Sequence, residues 1–171
     1  MTHPLVTQLR FTRSEWRRAL RDISDADARI RFEPMNCISW MVGHLAWHEH
    51  WYWVRYAQGQ NMVPHLSELV GTGRPASAPP FDQMWSDWRQ VTAVADEFLD
   101  TLTRDTLLER FEYKGKPAKD SIGTMMNRLI YHYWFHTGEA MAIRQLLGHT
   151  DLPEFVGDIS GKAPYRHDLP Y

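Results

Sequence analysis

A single cysteine, Cys37, occurs in the 171-residue chain, so no internal disulfide and no cysteine metal cluster can form. No stretch has the unbroken apolar length needed to span a bilayer. The opening residues, MTHPLVTQLRF, lack the basic region and apolar run of a secretory signal. Neither sign of charge dominates: the formal net charge is −2, which offers no electrostatic attraction to nucleic acid or anionic lipid. Internal repeats and low-complexity tracts are absent as well. Together these absences point to a cytoplasmic protein that binds neither nucleic acid nor membrane. The chain is long enough for one domain with a real core and too short for two comfortable ones.

What is abundant is aromatic and imidazole chemistry, with eight tryptophans and nine histidines. Such an aromatic excess builds a bulky core or an aromatic-walled pocket. The periodicity is helical throughout. Leu5, Leu9, Trp16, Leu20 and Ile23 mark a first helix, stopped before Pro34. Asn36 is a suitable N-cap for a second helix, NCISWMVGHLAWHEHWYWVRYAQGQ, which should end near Gly59. Residues 60–80 are rich in proline and glycine and read as a long connection with a helical turn near 65–70. Met84, Trp85, Trp88, Val91, Ala95, Phe98 and Leu102 form the inner face of a third helix from Phe81. A turn at Asp105–Arg110 and an extended or looped FEYKGKPAK follow. The fourth helix runs from Ser121 to Leu147 and is ended by Gly148.

Four amphipathic helices in one small domain predict an all-α four-helix bundle over residues 1–148. The tail, 149–171, should pack on the bundle or be partly disordered. A helix of about 23 residues is roughly 35 Å long, and a linker of about 21 residues reaches roughly 70 Å. The connection between helices two and three can therefore cross the bundle's length, which permits an up-down-down-up order.

The strongest chemical signal is one spacing that occurs twice: His44-x-x-x-His48 in the second helix and His132-x-x-x-His136 in the fourth. Histidines four apart share a helix face, and neutral imidazole is a common ligand of divalent transition metals. A pair from one helix and a third imidazole from another would leave coordination positions open, the catalytic arrangement. Taken alone, such a pair is equally a piece of surface or core. His132 and His136 lie among Tyr131, Tyr133, Trp134 and Phe135, so at least one of them must face inward. A di-iron carboxylate bundle is disfavoured, because it needs Glu-x-x-His pairs and none occurs.

"NCISWMVGHLAWHEHWYW" followed by "NRLIYHYWFHTGEAMAIRQLLGH" resembles the DinB-like (DinB/YfiT) superfamily of bacterial proteins. The resemblance implies an up-down-down-up bundle, commonly a homodimer, with a divalent metal (Zn, Ni or Fe) on three histidines: His44, His132 and His136. Relatives include thiol-dependent S-transferases and a maleylpyruvate isomerase. The resemblance therefore implies a small-molecule substrate, a low-molecular-weight thiol cosubstrate, and transfer in preference to hydrolysis. The alternative is a non-enzymatic, stress-related binding or interaction bundle with a structural metal or none. By the same resemblance His48 is an additional histidine: a fourth ligand, a proton shuttle or a core residue. Glu139 stands where the family carries a Gln-like residue, and both Glu139 and Glu49 are candidates to orient a ligand imidazole; the simpler expectation for Glu49 is solvent. His3, His50, His65, His149 and His167 are expected at the surface.

Overall fold

Apolar residues at helical spacing and side-chain caps at the starts of helices produce a mostly helical chain. The computed structural model describes residues 2–113 and 115–165. Helix α1 (Pro4–Ala19) starts on the His3 ring, which accepts from the Leu5 amide, and buries Val6, Leu9, Phe11 and Trp16. A short α2 (Asp25–Arg29) is capped by Ser24. Helix α3 (Ile38–Glu49) continues into a π-helical segment, His50–Tyr56. The cap of α3 is Cys37, whose sulfur accepts from the Trp40 amide; the expectation that Asn36 would cap it is off by one residue. After the turn α4 (Leu66–Leu69) comes α5 (Phe81–Leu99), then α6 (Arg104–Leu108) with a Thr103–Thr106 capping box. The stretch read as extended or looped forms a small hairpin, β1 (Glu112–Tyr113) against β2 (Lys116–Pro117), with Tyr113 opposite Lys116. Helix α7 (Ile122–Leu146) is capped by Ser121. It ends where expected: Gly148 takes φ 78, a left-handed conformation that glycine adopts without steric cost.

The four long helices α1, α3, α5 and α7 enclose one core in which Trp16, Trp53 and Tyr133 are fully buried. Gly43 in the middle of α3 lies against Met84 near the start of α5, and a Cβ there would clash with the Met84 sulfur. At the other end of the pair, Trp53 stacks with Phe98 at 6.1 Å. Phe11 of α1 meets Trp134 of α7, and Arg144 lower on α7 donates to the carbonyl of Ala19 at the end of α1. Beyond α7 the chain returns across α1. The Gly157 amide donates to Glu15, Arg18 donates to the Glu154 carbonyl, and α8 (Ile159–Lys162) leads to Ala163, whose carbonyl accepts from Gln8. His167 and the end of the tail lie outside the described residues. Among those that are described, no helix is long and apolar enough to cross a membrane.

Candidate metal centre

His44 sits on α3, and His132 and His136 sit one turn apart on α7, so packing α3 against α7 turns two sequence motifs into one cluster. One nitrogen from each of the three rings lies within 4.8 Å of the others. His44 and His136 are buried and His132 is half-buried. The Nε2 atoms of His132 and His136 are 2.9 Å apart.

The outer nitrogens determine which way the inner ones face. A backbone carbonyl can only accept, so His44 must carry its proton on Nδ1, donating to Val70 at 2.8 Å. Its Nε2 is left with a lone pair. The Nδ1–H of His136 likewise donates to Glu139 Oε2 at 2.7 Å, so in the neutral ring the lone pair lies on Nε2. Two lone pairs are thereby held in one small space with the His132 ring beside them. That donor set fits a borderline divalent cation such as zinc, nickel or iron.

Electrostatics agree with this reading. Burial pushes His44 down to about 4 and His132 to about 3, and the neighbouring imidazoles add to the shift. Neutral rings are the form that binds metal. Trp40 stacks on His44 with centroids 4.3 Å apart, and Trp47 lies 5.8 Å away on a nearly parallel plane. The first contact was readable as an i, i+4 aromatic–imidazole pair. The Val70 carbonyl was not, because a backbone acceptor leaves no mark in the sequence.

His48 lies beside the cluster, its ring 4.6 Å from that of His132 and 4.8 Å from that of His44. Burial, reinforced by His44 and His132, pushes it down to about 2. Glu139 contacts a cluster histidine as the sequence suggested. Glu49 does not, and it is not solvated either. It is fully buried, accepting from Arg13 Nε and Nη2 at 2.7 and 2.6 Å and from the Tyr133 hydroxyl at 2.9 Å. The expectation of solvent failed because the buried cation comes from α1, whose side-chain partners the α3 pattern does not reveal.

His50 is also corrected: it is buried, and its Nε2 accepts from the Met62 amide. The sequence reading assumed a regular α-helical step, whereas His50 opens the wider i→i+5 turn and the connection at Met62 covers it. His65 is exposed, as expected, and pairs with Asp87 at 2.8 Å, whereas His149 is half-buried against Arg144 and Asp27.

Two outcomes can be measured here. Glu139→Ala should weaken metal binding by about 10–100-fold, the usual effect of removing the acceptor that orients a ligand imidazole; a competitive chelator titration reads it. The metal-free protein should also lose stability in acid. His50 is pushed down to about 4 by burial, so an unfolded chain gains a proton near 6.5 that the folded one refuses. Stability is therefore whole above about pH 6.5 and falls as pH drops toward 4. Urea midpoints at pH 7.5 and 4.5 should differ less in His50→Gln than in the wild type, and an equal difference would rule His50 out as a contributor.

A cleft of about 840 Å³ lies between α1, α7 and α8, and none of the three histidines lines it. The chemistry converges at the histidines. A family model for the DinB superfamily matches residues 8–140, a span that holds all three. No curated protein matches the chain. The chain belongs to the DinB superfamily.

Proposed function

We propose that the chain is a metal-dependent enzyme in which His44, His132 and His136 hold one divalent cation and activate a thiol or water, with thiol transfer preferred to hydrolysis. The observation that carries this reading is the pair of outer acceptors, Val70 and Glu139, which leave the His44 and His136 Nε2 lone pairs in a shared space. When bound, the cation would act as a Lewis acid and lower the pKa of a thiol or water brought to it. The residues of the chain do the rest. Glu139 keeps the Nδ1 proton on His136, and the indoles of Trp40 and Trp47 shield His44 from bulk water. His48 is placed beside the reacting space for proton transfer, its ring 4.6 Å from that of His132.

The up-down-down-up order belongs to the same reading, supported by the matching ends of α3 with α5 and of α1 with α7. So do a bundle over residues 1–148, a homodimer and a cytoplasmic setting. The test is elemental analysis of protein purified without a metal-affinity column, together with assays of transfer from several cellular thiols. About one equivalent of Zn, Ni or Fe with thiol transfer is expected. Metal-free protein that takes none up on reconstitution would overturn the reading.

A further inference from the structure

Tyr52 links the histidine cluster to a second feature. Its ring lies 5.8 Å from that of His48, and it also lines a cleft of about 610 Å³, which reaches the cluster through this ring and not through a histidine wall. Tyr56 and Tyr113, with rings 5.2 Å apart, line the same cleft, together with the buried Met125 and the exposed Lys116 and Lys119. Charge is uneven there. Asp120 is the acid of the lining, and Arg128, one turn before His132, donates to it at 2.7 Å. Lys116 and Lys119 form no ion pair among the described residues. Arg128 pairs with an acid of the cleft and lies on α7 one turn before His132, so one helix carries both the edge of the cleft and part of the cluster.

The geometry points to this cleft as the site that binds the body of the substrate, a small anion with a flat, π-faced part, with its reactive end toward His48 and the three histidines. That the bound molecule is a substrate rests on the metal-centred reading; that it binds does not. Tyrosine rings offer stacking faces to any flat group. Three tyrosines could also cage a cation, but the two lysines oppose one and attract an anion. A flat neutral molecule lacks the charge attraction, and acetate lacks the stacking.

Binding can be followed by tryptophan fluorescence, since the Trp51 ring is 6.2 Å from Tyr113. The probes are 2-naphthoate, 2-naphthyl phosphate, neutral 2-naphthalenemethanol and acetate, titrated into zinc-loaded and metal-free protein. At least one naphthyl anion should bind about tenfold or more tighter than the alcohol and the acetate in both metal states. Which anion is preferred separates a carboxylate from a phosphate substrate. The double variant Lys116→Glu/Lys119→Glu, changed only at exposed positions, should bind that anion about tenfold or more weakly while keeping its zinc content and circular dichroism. Equal affinity for the alcohol, or unchanged binding in the double variant, overturns the assignment. Binding confined to the zinc-loaded form and insensitive to the lysines places the anion on the metal, which overturns the cleft alone. Protein that takes up no zinc yet binds the anion overturns the metal reading and leaves the cleft standing.

Discussion

Alanine at His136 is expected to lower metal affinity by about a hundredfold or more, because a site that loses a ligand suffers more than one that loses the acceptor behind it. The His136 nitrogen meets that of His132 at 2.9 Å, and its own orientation is held by Glu139, so its removal takes away both a donor and the order around it. His44→Ala and His132→Ala should behave alike, and His132, being half-buried, is the variant least at risk of unfolding. His48→Ala discriminates between roles. A loss under about tenfold in affinity with a changed pH–rate profile fits proton transfer, whereas a loss as large as that of His136→Ala fits a closed four-histidine site and a binding bundle. Normal metal content in purified His136→Ala would sink the ligand assignment.

Methionine in place of Arg13 is expected to destabilise the protein by about 3–5 kcal/mol, the effect of stripping a buried charge of its partner. Glu49 is fully buried and takes two of the Arg13 hydrogen bonds, with Asp96 accepting a third at 2.8 Å. The remaining donor, the Tyr133 hydroxyl, cannot neutralise a carboxylate. Burial, and then Glu49 itself, pushes that phenol well up, so it keeps its proton and accepts from the Trp88 indole at 2.7 Å. At about 2–4 °C per kcal/mol for a chain of this size, the melting temperature should drop by about 10 °C. Pairing Arg13→Met with Glu49→Leu should recover much of the loss, since two apolar residues replace the buried pair without leaving a charge behind. If Arg13→Met melts within a degree or two of the wild type, Glu49 has another way of being satisfied.

The helical elements were legible because the signal for them is local. Stripes such as Met84, Trp88, Val91 and Ala95 mark one face of α5, and Gly148 supplies the left-handed turn that ends α7. The caps were less legible: Asn36 looked the better acceptor, yet Cys37 occupies the capping position, because side-chain preference ranks residues without saying which one the chain turns on. The π-helical segment after Glu49 left no readable trace, and His50 was misplaced with it.

By itself the sequence determined the helices, their apolar faces, and two histidine pairs at a spacing that lets imidazoles share a side. Each of those properties depends on residues within a few turns of one another. Only the tertiary structure decided that α3 and α7 bring His44 to His132 and His136 and that the Val70 carbonyl orients the His44 ring. Only it joined Glu49 to Arg13 instead of to a histidine. Those contacts join residues 26 to 92 positions apart or run through backbone carbonyls, and they exist only once the core has packed.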